Sequence, residues 1–436
     1  MNPKRLILLS LLGALCVASG RAQLVSGRFV TSFYTWQKFD TVGVSKTYLR
    51  AFESVQLSAA QGAFSLHTFL QGAANGTNSF GDLGKVRVYN LYLTWADIAD
   101  AVELDLGRQA LFAGVASGTI DGARATARFW DQKIRVTGFA GATVSDDFTG
   151  IRKDIHDNNS VGGQILTTAV EDLQFGLSFM RRRQEQDPYW TVRARDTSFA
   201  PVPYYIANDP LAEEYGSADA YYTLGDRASL YGRYDYDFLL SKTSRGEGGA
   251  RVNITDVLAL TADYIYRSPN VSYNSIFSVF TMSSVSEFEG GVEYGFTPRL
   301  RGFARMAFVS YTDDKSHRWT LGVSSGYGSL SYSGSDGYAG QLQSVSVDGA
   351  YPLCDRMVIP TLGLSYASYR LSSVDTRDNA LSVVLGTILR PMNAFSVDLQ
   401  GQWLTNKVLA HDARLQAKLN YWFSDRLSLL GEEVNP

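Results

Sequence analysis

Cysteine, histidine and proline are scarce in this chain, and no apolar run beyond the N-terminus is long enough for a membrane helix. Of 436 residues, two are cysteine, four are histidine and eleven are proline. Cys16 lies in an N-terminal stretch expected to be cleaved off, so Cys354 stands alone. A single cysteine excludes an internal disulfide framework and a cysteine metal cluster. No Cys-x-x-Cys-His occurs, so the chain cannot attach c-type haem. Glycine-rich phosphate loops and His/Glu zinc motifs are likewise missing. His67 sits near Ser65 but lacks an orienting acid, and such a pair makes no triad. An enzyme is not expected: no catalytic residue, no metal ligand and no cofactor is assigned.

The first 22 residues have the parts of an export signal. Lys4 and Arg5 supply the positive region, Leu6 to Val17 the apolar core, and Gly20 and Ala22 the small residues before a cut at Gln23. The apolar run is too short to span a bilayer as a helix. Cys16 follows Ala14-Leu15 and lacks the small residue just before it that a lipid-anchor site would want. Subtracting Lys4, Arg5 and Arg21 from the 40 basic residues leaves 37 against 43 acidic ones. That mild acidity argues against nucleic acid as a partner.

What the chain does contain is one hairpin pattern written repeatedly. An alternating stretch ends in an aromatic or aliphatic residue, a few turn residues follow, and alternation resumes. Phe296-Thr297-Pro298-Arg299-Leu300, Val170-Glu171-Asp172-Leu173, Ile254-Thr255-Asp256-Val257, Leu353-Cys354-Asp355-Arg356-Met357 and Phe423-Ser424-Asp425-Arg426-Leu427 are five copies. In Asp172 to Arg183, Leu173, Phe175, Leu177 and Phe179 share one face, and Gly176, Ser178 and Met180 the other. Arg227 to Leu240 and Asp256 to Arg267 keep the same period of two. Segments of about 10–14 residues suit tilted outer-membrane strands, whereas strands of soluble sandwiches or propellers run nearer 5–6.

These observations predict an all-β fold: an up-and-down antiparallel transmembrane barrel of about 20 strands (18 to 22), filling residues 23–436. No plug domain is expected, because the first alternating segment, Gly27 to Phe39, starts just after the cut. Gly322 to Gly340 is the stretch where alternation has least contrast. Trp95, Phe129-Trp130, Tyr221-Tyr222, Phe296 and Tyr421-Trp422-Phe423 fall where strands meet short turns, as a girdle on the periplasmic side would. Longer connections are expected at Gly72 to Gly84, Ser145 to Asn159, Gln184 to Glu213 and Ser268 to Ser284. Thirteen residues follow Phe423, unlike barrels that end on an aromatic. The location implied is the bacterial outer membrane, with lipid and lipopolysaccharide as surroundings; a homo-oligomer is left open.

Charged residues take the inward parity. In the hairpin from Ser286 to Thr312, Phe288, Val292, Tyr294, Phe296, Leu300, Met306 and Phe308 are assigned to lipid, and Glu287, Glu289, Glu293, Arg301 and Arg305 to the lumen. The turn places Glu293 diagonal to Arg301, and Glu289 diagonal to Arg305. Arg233 and Asp235 are inward as well. Because both signs mix, weak selectivity or a filled lumen is expected.

Gly107-Arg108-Gln109 ends one segment, and Ile120-Asp121-Gly122-Ala123-Arg124 begins the next. This pair resembles a motif of outer-membrane porins of the alginate-export type, over about 20 residues. The resemblance implies a selective pore whose constriction is lined by Arg108, Asp121, Arg124, Arg128 and Arg135. The bland alternative is a structural Arg108–Asp121 ion pair that steadies an inward loop. In size and kind the chain is also similar to the porin component of porin–cytochrome conduits. That second resemblance implies a sleeve around a multihaem cytochrome, supporting electron transfer.

Overall fold

The computed structural model describes residues 23–41, 44–77, 86–150, 154–185, 188–195, 200–206, 210–269, 283–338, 340–372 and 374–427. The expected signal peptide, most of the Ser268–Ser284 connection and the last nine residues lie outside the described residues. Alternation is realised as strands throughout. The first nine are Gln23–Thr41 (β1), Val44–Gln61 (β2), Phe64–Thr77 (β3), Arg87–Ile98 (β4), Val102–Ala113 (β5), Ala116–Phe129 (β6), Ile134–Thr143 (β7), Asn159–Val170 (β8) and Leu173–Gln184 (β9). A separate ribbon, Tyr189–Arg195 (β10) and Ala200–Ile206 (β11), interrupts the series. It continues with Leu211–Leu224 (β12), Ala228–Asp237 (β13), Lys242–Asn253 (β14), Leu258–Arg267 (β15), Val285–Thr297 (β16), Leu300–Ser310 (β17) and Lys315–Ser325 (β18). The last six are Gly328–Gly337 (β19), Gln341–Ala350 (β20), Val358–Arg370 (β21), Asp378–Met392 (β22), Phe395–Thr405 (β23) and Asp412–Leu427 (β24).

Each wall strand runs antiparallel to its neighbours, β9 pairs with β12 across the ribbon, and β24 pairs with β1. The result is a closed barrel of 22 strands. Closure leaves no sheet edge, the condition for a sheet in hydrocarbon. The expected count of about 20 falls short by two. Gly322 to Gly340 forms the end of β18 and all of β19, although serine and glycine give its inward face little contrast.

One of the five hairpin copies is not a hairpin. Phe423 to Leu427 stays extended and pairs with β1, from Gly27↔Phe423 to Gln23↔Leu427. Its turn-type residues match the other copies, but the open edge of β1 supplies backbone partners that a turn would forgo. The other four copies do reverse the chain, Val170↔Leu173 and Thr297↔Leu300 with two residues between them. The Gly72–Gly84 connection is shorter than expected, because β3 runs to Thr77. The longer connection expected at Gln184–Glu213 holds the β10–β11 ribbon.

Phe288, Val292, Tyr294, Phe296, Leu300, Met306 and Phe308 are all exposed on the outer face, as their parity requires. The turn end of the barrel, which holds the start of β1 and the end of β24, carries paired aromatics. Phe64 lies 5.6 Å from Trp95, Phe29 5.8 Å from Phe423, and Tyr327 5.2 Å from Tyr351. Rings at one rim of an apolar band match a headgroup girdle.

Candidate functional site: an inward hairpin and a ladder of charge

The structure turns 110–119, expected as a loop, into the top of a long hairpin. β5 continues to Ala113 and β6 begins at Ala116, with only Gly114 and Val115 between. From Arg108 upward this hairpin leaves the wall. β5 pairs with β4 only as far as Leu91↔Arg108, and β6 pairs with β7 only from Ile120↔Thr143 downward.

Glycine permits the departure. Gly107, with φ at +126°, stands opposite Gly122, which stands opposite Gly141. A Cβ on Gly107 would sit 2.4 Å from the Leu91 carbonyl oxygen, and one on Gly122 would sit 2.2 Å from that of Ala140. Both lie below any tolerable contact, so only glycine fits this bend.

The hairpin tip rests on the inner wall of β9. Ser178 lies on the face opposite Leu177 and Phe179, and its hydroxyl accepts the Val115 N–H at 2.8 Å. Arg182 Nη1 donates to the Ser117 carbonyl at 3.2 Å. Leu111, Ala113, Ala116 and Ile120 pack with Phe139 of β7 and Met180 of β9, Ile120 having no exposed surface. Each fully buried aliphatic of this kind stabilises by roughly 1.5–3 kcal/mol. An apolar cluster thus sits inside the barrel. The opposite face of the hairpin presents Phe112, 83% exposed, to the lumen.

Arg108 and Asp121 meet at the bend. Arg108 Nε donates to Asp121 Oδ1 and Nη2 to Oδ2, both at 2.7 Å. Its remaining N–H groups go to carbonyl oxygens: Val88 and Phe148 at 3.1 Å, and Gly150 at 2.7 Å. A guanidinium has five N–H donors, and here all five are taken. Arg108 is 7% exposed. The other assigned arginines are more open. Arg124 pairs with Asp105 at 2.7 Å and Arg128 with Glu103 at 3.0 Å. Arg135, directly opposite Arg128, is exposed and has no ion pair among the described residues.

On β13, Arg233 pairs with Asp235 at 2.9 Å. From β14 to β18 the charges form one ladder. Glu293 accepts from Arg251 at 2.8 Å and from Arg305 at 3.3 Å. Arg305 also approaches Glu289 at 4.0 Å, and Arg318 bridges Glu289, at 3.0 Å, and Glu287. The expected Glu289–Arg305 diagonal forms, while Glu293 takes Arg305 instead of Arg301. Arg251, two strands away on β14, already occupies its other oxygen. Arg301 instead lines a 630 Å³ recess at the turn end with Arg227, Asp256 and Glu293. The pairings of Arg251 and Arg318 escaped the sequence reading because their partners are two strands away. Phe112, Phe139, Met180 and the contact of segment 145–150 were missed because they depend on the hairpin leaving the wall.

His67 sits between two serine hydroxyls, Ser58 at 3.1 Å and Ser65 at 2.9 Å, with no acid on its ring. No group of three metal-type ligands occurs among the described residues. At the loop end, the hydrogen bond to Asp378 raises the Lys407 ammonium above its ordinary value. That exposed pair contributes little to stability.

No family model matches the chain, and no curated protein is similar to it. Solved structures of distant likeness include the translocation pore of the P pilus usher PapC, with a TM-score of 0.45 at 9% identity. That match covers 92% of this chain and 99% of the other. OccK5 (OpdH) of Pseudomonas aeruginosa gives 0.41 at 10% identity, over 92% and 98%. OccAB1 of Acinetobacter baumannii gives 0.42 at 9%, over 94% and 99%. Likeness this remote decides nothing about function.

Proposed function

We propose that this chain is a porin-type channel of a bacterial outer membrane, passing small solutes by diffusion past an inward hairpin. One observation carries the reading: a seamless barrel, apolar outside and charged inside, narrowed by a hairpin of its own wall. The start of β1, the end of β24 and the short turns face the periplasm, and lipid and lipopolysaccharide surround the band. Arg124, Arg128, Arg135, Arg233, Asp235, Glu289, Glu293, Arg301 and Arg305 border the aqueous path. Arg108 and Asp121 hold the hairpin and leave no donor for a solute.

Mixed and mutually paired charges favour weak selectivity, since a selective pore uses rings of one sign. A specific substrate of the alginate-export type would need free inward cations, and Arg135 and Arg301 are the candidates. A sleeve around a multihaem cytochrome would need the room that the hairpin occupies. Purified full-length protein in a planar bilayer tests the reading. Stable ohmic steps support it; silence from protein that has assembled as a barrel refutes it.

A further inference from the structure

We infer that Arg108 is a latch joining three parts of the molecule: the inward hairpin, the edge of β4 and the segment 145–150 between β7 and β8. The inference rests on the channel reading for its meaning but on separate geometry for its existence. Where the hairpin departs, β4 loses its partner above Leu91 and a breach opens in the wall between β4 and β7. Segment 145–150 closes it. Val88 donates its N–H to the Phe148 carbonyl at 3.0 Å, replacing the missing strand, and the Tyr89 and Phe148 rings lie 4.8 Å apart.

The segment is itself shaped for the task. Asp147 accepts from Ser145 Oγ at 2.7 Å, from the Thr149 N–H at 3.1 Å and from Thr149 Oγ1 at 2.6 Å. The resulting turn holds Phe148 at φ +56° and aims its carbonyl, with that of Gly150, at the guanidinium. A buried cation with one carboxylate and three carbonyls from three elements is satisfied only when all three are in place. Losing any one would leave buried donors unpaired, at a high cost. Hairpin pose and loop pose are therefore linked, and the exposed segment becomes a handle on the pore. Arg108 is a positioning residue, and the solute path is controlled through it.

The test uses the full chain in detergent and in bilayers. In Arg108→Ala and Asp121→Asn, amides of 109–119 should exchange at least about tenfold faster, while wall amides remain protected. Conductance should rise or flicker. Tethering Val115→Cys to Ser178→Cys, in a Cys354→Ser background, should return Arg108→Ala to steady wild-type steps. Arg108→Lys should rescue partly at best, since an ammonium has three donors and no fork. Asp147→Ala, which leaves the hairpin and the wall untouched, should shift exchange of 109–119 in the same direction; it serves if Arg108→Ala does not assemble. Unchanged hairpin exchange in assembled variants overturns the latch. So does altered conductance that the tether fails to restore. Silence of the wild-type protein would sink only the channel reading, because exchange is measured without current.

Discussion

A single arginine shows how charge is used in this barrel. The resemblance of Gly107-Arg108-Gln109 to a porin motif implies a constriction role for Arg108, although in a period of two it shares the parity of Leu104 and Leu106 and opposes Glu103 and Asp105. A bidentate carboxylate and three carbonyls occupy its side chain entirely. The residue type was legible in the sequence; saturation was not, because Val88, Phe148 and Gly150 lie 20 to 42 residues away. Glycine sets the neighbouring limit. Gly107→Ala adds a Cβ against the Leu91 carbonyl at φ +126°. A conformation of that kind costs of order 1–3 kcal/mol before the clash is counted. The urea midpoint of the assembled barrel should fall accordingly, and an unchanged midpoint would show that the bend relaxes. Ile120→Ala should cost about 2–5 kcal/mol locally by leaving a cavity in the lumen cluster. That loss should appear as faster exchange in 109–119 with the wall unaffected.

Elements show where period-two reasoning succeeds and stops. The hairpin of β16 and β17 follows its expected register, with Glu293 opposite Phe303 and Glu289 opposite Ala307. Its ion pairs are only half legible, since Arg251 and Arg318 arrive from strands that sequence cannot bring near. The ladder combines Arg251, Arg305 and Arg318 with Glu287, Glu289 and Glu293, so its charges balance. Glu289→Gln with Glu293→Gln unbalances it by two positive charges. Unit charges about 10 Å apart in water interact by roughly 0.4 kcal/mol, a factor of about two in local ion concentration. The anion-to-cation permeability ratio should rise by about that factor or its square, most clearly in dilute salt. A reversal potential that does not move would mean that ions pass elsewhere. The β5–β6 hairpin was read as two strand ends with a loop between them. Its Leu111 and Ile120 take the parity of Asp105 and Arg124, against the outward-apolar rule, and that breach was the available signal.

At the scale of the whole molecule, closure is the decisive property. Strand pairing from β1 through β24 and back closes the ring, with segment 145–150 covering the gap above Leu91, and β1 and β24 form the seam. Truncation after Phe423 would remove the pairs Gln23↔Leu427 to Ser26↔Ser424 and keep those from Gly27↔Phe423 to Thr35↔Leu415. The shortened protein should still assemble and migrate as a compact, heat-modifiable barrel. Failure to do so would make the final residues essential to closure. All-β class, most turn positions and the rim aromatics were legible, because each follows from local periodicity. The filled interior was not, because it depends on a hairpin leaving the register that periodicity describes.

Phe112 offers the most direct measurement of the central claim, that a hairpin of the wall stands in a water-filled pore. Phe112→Cys in a Cys354→Ser background is placed in a planar bilayer and treated with a charged, membrane-impermeant thiol reagent. The account predicts an abrupt, lasting drop in single-channel current on modification. Current that is untouched after the thiol has demonstrably reacted would place Phe112 outside the conducting path and contradict the account.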